Sequence, residues 1–343
     1  MIRILKVISL TLLVGFVFSC APSKALIDYT FTEGIVWPGP PQKPRIKYLW
    51  SLQRIRGGET ESPFIRLLTG EIDYDIENPR YSDILIGPYG VFVDKDDVLY
   101  IADPEAARVN VIDLKNNHSF TIDTAGKTDL ISPMAVVADG GRIYITDSDL
   151  RKVCIFNGRG KFIKFFEGEF KRPTGIAISS NRIYVSDTWA HKIYIYDKDG
   201  KRGDSFGEKG DAPGSLHYPT FIAVDKDGFV YVSDTLNFRV QIFSPTGKLI
   251  NAFGVIGDSF GSFDKIKGIS VDREGHIYVA DSAQDMVQIF DREGRLLLFF
   301  GKNGQFYGDF VLPTGLYVDS KNRIFVSDSL NMRIQVFQFL GGD

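Results

Sequence analysis

Cysteine is almost missing from this sequence: two residues in 343, too few for a disulfide-stapled scaffold. No C-x-x-C or C-x-x-C-H occurs, which excludes a cysteine-based zinc ribbon and covalently attached haem. Histidines number four, a thin supply for the three-ligand open zinc site that catalysis needs. Neither sign of charge is in excess, since 40 basic and 43 acidic residues give −3. Arg3 and Lys6 fall within the first 19 residues, and without that segment the balance is −5. No global field therefore draws the chain to nucleic acid. After residue 19 there is no apolar run of membrane-spanning length.

What is present begins with an address. Met1–Ser19 reads MIRILKVISLTLLVGFVFS, two bases, an apolar run and a small residue, the pattern of an export signal. Val17-Phe18-Ser19-Cys20 resembles the lipobox of bacterial lipoproteins. That resemblance implies that residues 1–19 are removed, that Cys20 is acylated, and that the protein is held in the cell envelope. Ala21 after the cysteine implies the outer membrane. Residues 20–44 contain WPGPPQKP and read as a semi-rigid tether. Cys154, in the apolar stretch KVCIF, reads as a buried structural thiol.

From Pro88 onward one unit recurs. PYGVFVDKDDVLYIAD, PMAVVADGGRIYITD, PTGIAISSNRIYVSD, PTFIAVDKDGFVYVSD, IKGISVDREGHIYVAD and PTGLYVDSKNRIFVSD end on Asp103, Asp147, Asp187, Asp234, Asp281 and Asp328, spaced by 40–47 residues. Within a unit the apolar period is two, as in half-buried strands. Turn sequences such as DKDG and SPTGK separate the strands. Four short antiparallel strands repeated at this interval make a β-propeller blade. Asp234-Thr235-Leu236-Asn237-Phe238-Arg239-Val240-Gln241-Ile242-Phe243 and its counterpart from Asp328 to Phe337 resemble the NHL repeat. The resemblance covers residues 88–343 and implies an all-β, six-bladed propeller. The sixth copy stops after its third strand, and Arg45–Leu52 (RIKYLWSL) alternates without belonging to any repeat. We expect residues 45–52 to complete the sixth blade and close the ring, so that 45–343 form one propeller domain. Ser62-Pro63, Phe64, Leu67, Leu68 and Gly70 predict a short helix between that strand and the first blade.

Five residues after five of the six aspartates stands a base, giving the expected ion pairs Asp103–Arg108, Asp147–Lys152, Asp187–Lys192, Asp234–Arg239 and Asp328–Arg333. Repetition in five blades argues for fastening, because a catalytic pair is needed once. Copy five carries Met286 instead, leaving Asp281 without its base and Asp285 nearby. Loops after the second strand and between blades emerge on one face, here the loop face; the tight turns form the opposite, turn face. The residues expected at the channel mouth and loop tips of the loop face are Tyr89, Thr174, Trp189, Thr220, Phe221, Phe238, Lys267, Asp285 and Thr314. Lys267 stands out because most copies carry Tyr or Thr there. The inner strands hold no acid or amide and the histidines are scattered, so neither a catalytic residue, a metal nor a cofactor is assigned. We expect a monomeric, lipid-anchored module binding an envelope protein, peptide or glycan through the loop face. The competing expectation is a metal-dependent envelope hydrolase or lyase at the central channel.

Overall fold

A computed structural model describes residues 26–32, 34–56 and 84–341. The expected export signal, Cys20 and the expected helix at 62–70 lie outside these residues. No helix among the described residues is long and apolar enough to cross a membrane.

Alternation of Val, Ile and Tyr with small residues makes each repeat an antiparallel sheet in chain order. Blade four is representative: Pro219–Val224 is innermost, followed outward by Val230–Asp234, Arg239–Phe243 and Leu249–Phe253. The inner strands of blades one to six begin near Gly90, Pro133, Pro173, Pro219, Ile266 and Pro313, and each packs on the next around a closed ring. The cores lie between facing sheets, where Tyr144, Tyr184, Tyr231 and Tyr278 are fully buried.

Two repeated devices set the spacing of the blades. The glycine of P-x-G lets adjacent inner strands approach: a Cβ at Gly90, Gly175, Gly268 or Gly315 would strike the backbone carbonyl of Met134, Thr220, Thr314 or Tyr89 in the next blade. In blades two to six the hydroxyl after the anchoring aspartate donates to a carbonyl of the following blade, whereas Pro104 follows Asp103 in blade one. Ser148 reaches Pro173 at 2.7 Å, Thr188 reaches Pro219 at 2.7 Å, and Ser282 reaches Pro313 at 2.5 Å. Ser329 reaches Pro88 at 2.6 Å, joining blade six to blade one.

The sixth blade is completed as the sequence implies. The strand expected at 45–52 runs as β3, Ile46–Arg56, antiparallel to Arg333–Phe339, with Leu52 opposite Ile334 and Ile46 opposite Phe339. Ile46, Tyr48 and Leu52 are fully buried there. Two further strands, β1 (Leu26–Phe31) and β2 (Val36–Trp37), pair with the outer edge of β3. The segment read as a tether therefore joins the sheet from Leu26, because pairing satisfies backbone groups that β3 would otherwise expose at an edge.

Candidate functional site

The central channel forms a cavity. It measures about 680 Å³ and is walled by the inner strands of all six blades, including Val91, Val137, Ile176, Ala223, Ile269 and Leu316. Phe92, Ile178, Val224, Val271 and Tyr317 are half-buried wall residues. The cavity reaches Asp94, Lys95, Asp96, Asp139 and Arg142 in the turns of blades one and two, and so opens on the turn face. At its other end it stops at Gly90 and Phe221.

Three of the residues expected at the loop-face mouth explain that stop. Tyr89 and Phe221, from opposite blades one and four, stack with ring centroids 5.4 Å apart and planes at 25°. The Lys267 ammonium lies 6.0 Å from the Tyr89 ring, within cation–π range. All three depart from the P-T-G pattern: Tyr89 and Lys267 replace threonine, and Phe221 replaces glycine. The Tyr89 and Phe221 rings meet over the axis, with the Lys267 ammonium beside them, and fill it. The loop-face end of the channel is thus filled, and the open end lies on the opposite face.

The other expected contact residues do not join them. Thr174, Thr220 and Thr314 are buried, and their hydroxyls bond those of Thr188, Thr235 and Ser329 at 2.7, 2.8 and 2.6 Å. They belong to the interblade fastening and are closed to a ligand. Trp189 is exposed on a loop tip beneath the Arg172 guanidinium, 5.2 Å away. Phe238, with φ of 53°, is half-buried against the core. Asp285 holds the next blade's loop, accepting from the Leu312 N–H and the Asn303 amide, both at 2.7 Å.

The anchoring aspartates fasten differently from the expectation. All six are fully buried, and in each the carboxylate accepts backbone N–H groups from the loop entering its own blade. Asp147 takes Ile131 and Ser132, Asp187 takes Lys171 and Arg172, and Asp281 takes Asp264 and Lys265. Ion pairs do form at Asp234–Arg239, 2.9 Å, and Asp328–Arg333, 2.7 Å. In both blades a buried glutamine, Gln241 or Gln335, adds a bond to the same carboxylate at 2.9 Å. Arg108 donates to the Ile84 carbonyl at 2.9 Å, and burial outweighs it in pushing the Asp103 carboxyl upward. Among the described residues no ion pair joins Asp147 to Lys152 or Asp187 to Lys192; the Lys152 ammonium lies over the Phe165 ring at 6.0 Å. A lysine reaches solvent along its stem more easily than the forked, planar arginine. Asp281, which lacks the base of its counterparts, is satisfied by four N–H groups, including those of Ala283 and Gln284.

The turn aspartates are likewise accounted for. Asp94, Asp225 and Asp272 accept N–H groups of their own turns and a tyrosine hydroxyl from Tyr100, Tyr231 and Tyr278. His191 and His217 stack at 5.7 Å on the loop face, where burial and the neighbouring imidazole lower the His191 pKa. Among the described residues no group of three His, Cys, Asp or Glu side chains stands close enough to hold a metal. Cys154 is fully buried, and burial pushes its thiol pKa upward. One polar group in the channel is unused. The Tyr317 hydroxyl makes no hydrogen bond among the described residues, and burial, with Asp319 and Asp94 nearby, keeps it protonated by raising its pKa.

Six antiparallel four-stranded blades around a channel filled at one end by aromatic side chains and open at the other define a six-bladed β-propeller. Three of the six repeats match the NHL repeat family, at residues 170–196, 216–243 and 310–337. No curated protein matches the chain in sequence. Among solved structures, virginiamycin B lyase from Staphylococcus aureus is similar at 15% identity, over 74% of this chain and 95% of that one, with a TM-score of 0.56. An auxiliary nutrient binding protein from Bacteroides thetaiotaomicron aligns at 15% identity over 73% and 68%, TM-score 0.59. Hydrazine synthase from Kuenenia stuttgartiensis aligns at 17% identity over 74% and 77%, TM-score 0.56. At these identities the likeness extends to the fold alone.

Proposed function

We propose that this protein is a lipid-anchored binding module of the bacterial cell envelope that takes a narrow ligand with both apolar and polar groups, such as a peptide segment, into its central channel. The observation that carries this reading is the 680 Å³ cavity open at one end, within the range of roughly 300–1,000 Å³ typical of ligand sites. Val91, Val137, Ile176 and Leu316 line the walls and Asp94, Lys95, Asp139 and Arg142 the open end, a mixture of apolar and polar groups that suits a peptide segment. The Tyr317 hydroxyl supplies one neutral donor for orientation. Binding is the activity proposed for this cavity. The anchor rests on Cys20 and the envelope location on the export signal before it.

The test is titration of the purified protein with Nile red. We expect saturable binding to the wild type and its loss in Val224→Trp, which fills the channel from a half-buried wall position. In Tyr317→Phe the folded channel persists, and a ligand using the hydroxyl weakens by about five- to tenfold, one neutral hydrogen bond. Equal binding by a folded Val224→Trp protein would overturn the channel as the site.

A further inference from the structure

The loop face around blades five and six carries an unusual density of exposed apolar side chains. Phe306 is 83% exposed, Ile256 68% and Val255 67%, with Leu330, Phe260 and Met332 also exposed. Val255, Ile256 and Phe260 belong to the loop between blades four and five. Phe306 belongs to the next such loop, and Leu330 and Met332 to the loop before the third strand of blade six. Each exposed apolar group costs free energy in water, and contiguous patches of this kind mark interaction surfaces.

The path of the chain says what this surface meets. β1 begins at Leu26, opposite Arg56 of β3. That end of β3 is the loop-face end, since Leu52 lies opposite Ile334 and Gln53 donates to the Asn331 carbonyl at 3.2 Å. Tyr307, beside Phe306, packs on Tyr48 of β3 with ring centroids 5.6 Å apart. The chain thus enters the fold beside this apolar surface. Five residues separate Cys20 from Leu26, and even fully extended they reach roughly 20 Å. An acyl chain on Cys20 would hold the loop-face edge of blade six that close to a bilayer.

We propose that the loop face at blades five and six lies on the membrane, with Phe306, Leu330, Met332, Val255, Ile256 and Phe260 in the boundary between headgroups and acyl chains. This rests on the acylation of Cys20 proposed above. Apolar loop tips partition into that boundary while the polar remainder stays in water. The channel then opens on the face turned away from the bilayer, where a ligand from the aqueous side can enter. The aromatic plug faces the lipid.

The test uses the full chain, expressed with its export signal and reconstituted into vesicles of phosphatidylethanolamine and phosphatidylglycerol with brominated acyl chains. Single cysteines are introduced as Phe306→Cys, Leu330→Cys and, on the turn face, Asn181→Cys, and labelled with the fluorophore NBD; Cys154 is buried and does not react. Intact mass of the N-terminal peptide reports acylation at Cys20. We expect an acylated protein whose labels at 306 and 330 lose fluorescence to the brominated lipid while the label at 181 does not. Acylated protein with equal fluorescence at all three positions overturns the docking surface and leaves the anchor intact. A peptide without acyl mass overturns the anchor, and this orientation with it.

Discussion

At the scale of single residues, Asp281 and Lys152 invert what their repeat positions imply. Asp281 lacks the base that follows its counterparts, yet its fully buried carboxylate accepts four backbone N–H groups. Lys152 occupies the position of that base and makes no ion pair with Asp147, which already holds the N–H groups of Ile131, Ser132 and Leu150. The carboxylate is therefore required and the base is secondary. Replacing a carboxylate that satisfies buried donors leaves each of them desolvated and unpaired, at about 1–3 kcal/mol apiece. Asp281→Ala should consequently lower the urea midpoint sharply, whereas Lys152→Met should move it little. A midpoint unchanged in Asp281→Ala would refute the fastening role. The aspartate's importance could be read from its repetition. Half of its partners could not, because the N–H groups of Asp264 and Lys265 lie 16–17 residues upstream and meet it through the return of the chain.

At the scale of elements, the P-x-G segment shows how one residue type sets the distance between strands. Gly268 has no need of unusual dihedrals; what it needs is room, because a Cβ there meets the Thr314 carbonyl and the Leu316 N–H of blade six. Both neighbours are backbone and cannot swing aside. Gly268→Ala should cost well over the ~1 kcal/mol typical of a point substitution, measured as loss of unfolding free energy. A neutral effect would mean that the inner strands are free to separate. Blade four breaks this rule with Phe221, and the break is where the plug forms. Repeat departures at Tyr89, Phe221 and Lys267 were visible in the sequence. That they meet was not, since residues 89 and 221 belong to blades on opposite sides of the ring.

The whole molecule depends on joining its first and last blades. β3 supplies the missing strand, Ser329 reaches Pro88, and Asp97 of blade one binds Lys321 and Arg323 of blade six, both at 2.5 Å. The Lys321 hydrogen bond, helped by Arg323, holds the Asp97 carboxyl at about 2, below its ordinary 3.8. A carboxyl depressed in the folded state stabilises it above the unfolded value, and that contribution disappears as pH falls through the folded one. Stability should therefore drop between pH 3.8 and about 2, with a shallower drop in Asp97→Asn. Identical pH profiles for the two proteins, followed by urea denaturation, would remove this cluster from the closure.

Repeat count, strand order, the turn aspartates and the closing strand were all determined by sequence alone, because each rests on local periodicity or on a unit counted along the chain. Tertiary structure decided which end of the channel is open, how the buried aspartates are satisfied, and that residues from Leu26 on pair with the outer edge of the sixth blade. These depend on groups far apart in sequence that a closed ring brings together. Side-chain size at the axis, the approach of neighbouring backbones and the pairing of an exposed strand edge are settled only when all six blades are in place.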